Sequence, residues 1–140
     1  MSARVFLDTN VLVYAFDQSA PAKQHRALEI VRQRSDGEWT ISWQVVQEFS
    51  AVALHRFARP MASADLRDLH QALLWPACGI LPGRALHAHA LTLHGETQYR
   101  FYDCLIVAAA IASGVEELYT EDLQHGRELG GVRIVNPFLP

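Results

Sequence analysis

Four carboxylates stand out by their context. Asp8 ends a strand-like run and precedes Thr9-Asn10, while Glu48 lies between Val45-Val46 and Phe49 in an otherwise apolar stretch. Asp103 opens the most apolar segment of the chain, and Asp122 follows Leu118-Tyr119-Thr120-Glu121. Singly, each has an ordinary explanation. An Asp at a helix start is a cap, an Asp after a strand is turn chemistry, and a Glu on a helix can face solvent. Jointly they are harder to dismiss, because grouped carboxylates repel and are costly to bury unless protons or cations neutralise them. An all-oxygen donor set suits Mg²⁺ or Mn²⁺ and not zinc. Such a cluster lowers the pKa of a bound water, orients it, and stabilises charge on a phosphodiester during in-line attack. No protein nucleophile is then required. The sequence carries no G-x-S-x-G, P-loop or G-x-G-x-x-G motif.

The elements that must position these acids follow from periodicity. Residues 4–7 read as a short buried strand, and residues 10–16 as a helix capped by Thr9 or Asn10. Pro21 opens a second helix that ends before Gly37. Trp39-Thr40-Ile41 is a strand; Ser42 caps a helix carrying Glu48, which Pro60 stops. Ser63 caps another helix running to Trp75-Pro76, and residues 79–82 hold a very short strand. Residues 84–94 are helical by pattern, closed by Gly95; residues 103–112 are helical, closed by Gly114. Residues 117–120 and 132–135 read as strands, with a short turn of helix at 122–125 between them. Strands that are nearly continuous apolar runs and alternate with helices imply a parallel sheet covered on both faces, an α/β sandwich. In such sheets ligands bind beyond the carboxyl ends of the strands, which selects Asp8 and Asp122.

Composition narrows the function classes. The chain has 140 residues, half of them hydrophobic and 19% charged, which points to one domain over 1–140 and excludes disorder. No apolar run approaches the roughly 18 residues of a membrane span, and the start shows no leader pattern, so a cytoplasmic chain is expected. Cys78 and Cys104 form no C-x-x-C pair and suit a reducing compartment. The net charge of −3 argues against coating nucleic acid by bulk charge, but not against an enzyme whose acids hold cations. His87, His89 and His94 are poorly spaced to share one ion on a helix.

At the four acids the sequence resembles the PIN-domain family, and within it the VapC-type toxins of prokaryotic toxin–antitoxin pairs. The matching segments are FLDTNVLVYAFD at 6–17, ISWQVVQEF at 41–49, FYDCLIVAAAIASG at 101–114 and LYTEDLQHG at 118–126. The resemblance implies a PIN-like three-layer α/β/α sandwich around a parallel sheet of about four to five short strands. It implies a Mg²⁺- or Mn²⁺-dependent endoribonuclease that leaves 5′-phosphate and 3′-hydroxyl ends, pairs as a homodimer and is silenced by a VapB-type antitoxin. Carried over by position, Asp8, Glu48, Asp103 and Asp122 are the catalytic, metal-holding acids. Thr9, Asn10 and Thr120 would support them by hydrogen bonds. Glu121 stands beside Asp122 as a supporting acid or a substitute for it.

One departure concerns the third acid. Many relatives carry a small hydroxyl residue shortly before it, where this chain has Tyr99-Arg100-Phe101. The capping role then falls to Asp103 or is missing. Arg100 is a candidate phosphate contact, with a solvated loop arginine as the plainer reading. Arg56 and Arg59, or Arg26, Arg32 and Arg34, could guide RNA phosphates or simply form solvated faces. Tyr14, Trp43 and Trp75 could stack on bases, with core packing as the default. Two rival functions stay open: a free-standing PIN ribonuclease of RNA processing, and a catalytically silent PIN-like binding module.

Overall fold

The computed structural model describes residues 3–140, without the side chains of 35 and 36. Among the described residues the sheet has six strands in the order β3-β2-β1-β4-β6-β5. β1 (Val5–Leu7), β2 (Trp39–Ser42), β3 (Cys78–Ile80), β4 (Glu117–Tyr119) and β6 (Val132–Val135) run parallel. β5 (Glu128–Leu129) is an antiparallel edge that the sequence pattern does not announce. Two residues are too few to show a period.

The helices are α1 (Thr9–Phe16), α2 (Pro21–Arg32), α3 (Trp43–His55), α4 (Ser63–Leu69), α5 (Trp75–Ala77), α6 (Arg84–Thr97) and α7 (Phe101–Ser113). A 3₁₀ turn (Gln33–Asp36) follows α2, and a π turn (His70–Leu74) joins α4 to α5. In that turn the Trp75 N–H bonds back to the His70 carbonyl, a wider spacing that accommodates the ring and missing N–H of Pro76. The helical path therefore passes through Trp75-Pro76, where the sequence suggested a stop.

Chain direction explains the layering. From β1 to β2 to β3 the chain steps outward, and parallel crossovers are right-handed, so α1 to α5 lie on one face. From β3 the chain returns past β2 and β1 to β4, so α6 and α7 lie on the other. The reversal falls between β1 and β4, the point where open α/β sheets bind ligands. Val5, Phe6 and Leu7 are all buried, as a central strand covered on both sides requires. The run Ile106 to Ala110 is buried too, and its three alanines let α7 lie close to the strands. Gly130 disfavours a side chain: its φ of +55° strains other residues, and a Cβ would stand 2.7 Å from Ile111 Cδ1, which would have to shift.

Helix boundaries differ from the sequence reading in instructive ways. α1 begins at Thr9 with Asp8 as its N-cap. α3 ends at His55, well before Pro60. Ala62, not Ser63, takes the N-cap of α4. Gly95 lies inside α6, which Gln98 closes in a left-handed conformation at φ 63°. α7 begins at Phe101 with Arg100 at its N-cap, leaving Asp103 in the first turn. Residues 121–127 hold bends and turns where a turn of helix was expected. No helix among the described residues is long and apolar enough to cross a membrane.

Candidate functional site

Asp8, Glu48, Asp103 and Asp122 line one pocket of about 380 Å³, at the carboxyl ends of β1 and β4. Four separate elements deliver them. Asp8 leaves β1 and caps α1, its Oδ1 accepting from the Thr9 backbone N–H at 2.7 Å. Its backbone N–H bonds to the Tyr119 carbonyl of the neighbouring strand, tying the two strand ends together. Glu48 comes from α3, on a stripe with Gln44, Val52 and Arg56 at four-residue spacing, so all four reach the same pocket. Asp103 and Ile106 come from the first turns of α7, and Asp122 from the loop after β4.

Thr120 organises this group. It is fully buried, and its single hydroxyl is saturated. It donates to Asp8 Oδ2 at 2.8 Å and accepts from Asn10 Nδ2 at 3.3 Å and from the Asp122 backbone N–H at 3.2 Å. Asn10 Nδ2 also donates to Asp122 Oδ2 at 2.9 Å, and the Thr9 hydroxyl donates to Glu48 Oε1 at 2.8 Å. Each of the three expected supporting groups thus holds a different acid in place.

Glu121 behaves otherwise. It turns away from the pocket, accepting from Lys23 Nζ at 2.9 Å and from the Tyr14 hydroxyl. The bend at Glu121 and Asp122 separates the two neighbouring side chains, and only Asp122 lines the pocket with the other acids. Arg100 is exposed at the head of α7 and outside the pocket lining, although its charge favours ionised Asp103. Arg56 lines the pocket and Arg59 does not. Gln44 was not anticipated; the four-residue stripe through Glu48 was the signal that could have found it.

The electrostatics follow from burial. Asp8 is 6% exposed, and its carboxyl is pushed up from 3.8 to about 7. Loss of water is the main cause; the bonds from Thr120 and Thr9 oppose it, and the charges of Glu48 and Asp122 add to it. Asp103 is raised as well, by burial first and then by Asp122, with Arg100 opposing. No Lys or Arg forms an ion pair with any of the four acids among the described residues. The site has excess negative charge.

A divalent cation fits this donor set. The donors are all hard oxygens, and the Asn10 Oδ1 atom is buried without a partner. Among the described residues no three His, Cys, Asp or Glu side chains converge closely enough to share one ion as they stand.

Comparison with known proteins supplies the context. The family model for the PIN domain matches residues 5–127. No curated protein matches the chain. Among solved structures, a toxin–antitoxin complex from Klebsiella pneumoniae contains a chain similar at 19% identity and TM-score 0.64, covering 95% of this chain and 97% of that one. A structure of FitAB bound to an IR36 DNA fragment is similar at 18% identity and TM-score 0.64, covering 97% and 96%. At these identities the likeness is one of fold.

Proposed function

The chain belongs to the PIN domain family, and on that premise we propose that it is a Mg²⁺- or Mn²⁺-dependent endoribonuclease, the toxin of a VapBC-type pair. One observation carries the reading: four acids from four elements line a single pocket, and among the described residues none of them is ion-paired to a Lys or Arg, Arg56 lining the pocket without reaching an acid. Grouping Glu48, Asp103 and the exposed Asp122 around the buried Asp8, with no ion-pair partner among the described residues, works against stability and supports a chemical use. Asp8 and Asp103 would hold the ion, with Glu48 and Asp122 completing the oxygen set. Bound there, the ion supplies Lewis-acid charge to a phosphodiester oxygen and a more acidic water.

The remaining work falls to the chain itself. Thr120 fixes Asp8 Oδ2, Thr9 fixes Glu48 Oε1 and Asn10 fixes Asp122 Oδ2, so the acids present defined oxygens instead of swinging apart. Val13, Val52 and Ile106 form the apolar wall, which lowers the local dielectric and strengthens every charge interaction inside. Arg56 meets the phosphate backbone, the positive contact an acidic pocket otherwise lacks. A cognate antitoxin belongs to the same reading, supported by the likeness to a chain of a toxin–antitoxin complex, and a homodimer is part of the proposal on the family resemblance alone.

The test is cleavage of a mixed RNA pool by wild type and Asp103→Asn, each with Mg²⁺, Mn²⁺ or EDTA. Cleavage is expected only from wild type with metal, leaving 5′-phosphate ends. EDTA-resistant cleavage, or full activity of a folded Asp103→Asn protein, overturns the proposal.

A further inference from the structure

Beside the acid pocket lies a second cleft of about 170 Å³, walled by Trp43, Tyr102, Leu81, Pro82 and His87, with Ser42 and Gln44 among its lining residues. We infer that this cleft is a nucleobase subsite, holding a base of the single-stranded RNA next to the scissile phosphate. The inference rests on the nuclease reading and adds to it the means of sequence choice.

Position comes first. Gln44 lines both clefts, and it precedes Glu48 by four residues of α3, roughly 6 Å along the helix. On the opposite wall Tyr102 is the immediate neighbour of Asp103. A strand whose phosphate sits at the acids therefore brings an adjoining base to Trp43 and Tyr102.

Shape and rigidity agree. Trp43 is 37% exposed and Tyr102 67%, high for large aromatic side chains beside a core. Each has an aromatic neighbour. Trp43 stacks on Trp75 with ring centroids 4.9 Å apart, and His70 meets Trp75 edge-on at 5.3 Å. Phe101 supports Tyr102 at 5.6 Å. Held aromatic faces cost little to order when a flat ring inserts between or against them.

Chemistry then favours a base over an aliphatic side chain. The Ser42 hydroxyl is buried and has no partner among the described residues. Ser42 occupies the N-cap position of α3, yet its side chain makes no capping bond. The Gln44 Nε2 donates to the Tyr102 carbonyl at 3.1 Å, which leaves its amide oxygen to accept. No Asp, Glu, Lys or Arg lines the cleft. A neutral, flat ring with donors and acceptors on its edge meets those demands; a phosphate or an acidic peptide does not.

The test is binding of fluorescent eight-nucleotide RNAs (oligo-A, -C, -G and -U, and one carrying an abasic site) in EDTA, so that cleavage does not intervene. Trp43→Ala is expected to weaken the preferred oligomer about 5- to 150-fold, the value of one base stack. It should leave the abasic oligomer unchanged. Ser42→Ala, a smaller change that spares the stacked pair, is expected to flatten the preference among bases. Equal affinity and preference in wild type and both variants overturns the subsite. So does a Trp43→Ala protein that loses self-association while binding RNA normally, which makes the patch a protein interface. Wild type that cleaves RNA with Mg²⁺ or Mn²⁺ but binds the abasic and base-bearing oligomers equally overturns the subsite alone, whereas wild type that neither binds nor cleaves RNA with either metal overturns the nuclease reading, and the subsite with it.

Discussion

The two ends of strands β1 and β4 treat their carboxylates in opposite ways. At the amino ends, Arg4 stands before β1 and bonds to Glu38 and to Glu117, the first residue of β4. Both acids are partly exposed and fully satisfied, and the arginine is held more firmly protonated by them. At the carboxyl ends, Asp8 and Asp122 have hydroxyl, amide and backbone partners but no cation. The same two strands, a few residues apart, thus pair acid with base at one end and crowd acid with acid at the other. Charge pairing was available to this fold and is absent where the pocket lies. An end whose acids are ion-paired has its charge partly met within the chain; an end whose acids are not has affinity left for a cation.

The sharpest way to break the contrast is Asp8→Asn. RNA cleavage should fall on the order of 10³-fold or more, since the removed charge acts on the reacting centre. Thermal unfolding in EDTA at pH 8 should nonetheless move upward, by about 2 kcal/mol, because a buried uncompensated charge is gone. A destabilised Asp8→Asn protein would mean that the acid end is built for stability after all.

The pH profile sharpens the same point. Asp8 in the folded chain keeps its proton to about 7, while in the unfolded chain it loses it near 3.8. Between those values the folded state binds more protons, so stability in EDTA falls as pH rises through that window and levels off above about 7. Chemical denaturation at pH 5 and pH 8 should show the decline in wild type and a shallower one in Asp8→Asn. A flat wild-type profile would refute it.

Thr120→Val tests whether the hydroxyl matters for geometry. It removes a donor to Asp8 and an acceptor for Asn10 and the Asp122 N–H at once, and should cost about 10- to 100-fold in cleavage or metal affinity. Unchanged metal titration would assign Thr120 to packing alone. The smallest effect is expected at the other end. Arg4→Met should cost no more than about 1 kcal/mol, as partly exposed pairs do, and leave cleavage intact. Loss of cleavage there would show the two ends to be coupled.

Local signals carried much of this molecule. Buried strands, apolar helix faces and the strand-end rule brought Asp8 and Asp122 forward, and the four motif segments gave the PIN resemblance that the family model matches. Boundaries were less legible. Gly95 reads as a terminator, yet α6 passes through it, because packing of Ala90 and Leu93 against the core outweighs one glycine's helix penalty of about 1 kcal/mol. Asp103 reads as a cap, yet α7 starts two residues earlier and frees the carboxylate for the pocket.

By itself the sequence determined which residues are acids, which runs are apolar and, apart from β5 and the turn expected at 122–125, in what order strands and helices follow, since these depend on composition and short-range periodicity. Tertiary structure alone decided that Glu121 faces Lys23 while Asp122 joins the acids, that the stripe of Gln44, Glu48 and Arg56 faces the pocket, and that among the described residues the buried Ser42 hydroxyl has no partner. Those outcomes depend on which side of a loop or helix meets another element. That is fixed by contacts between residues far apart in the chain, such as Thr120 to Asp8 across 112 positions, which no local pattern encodes.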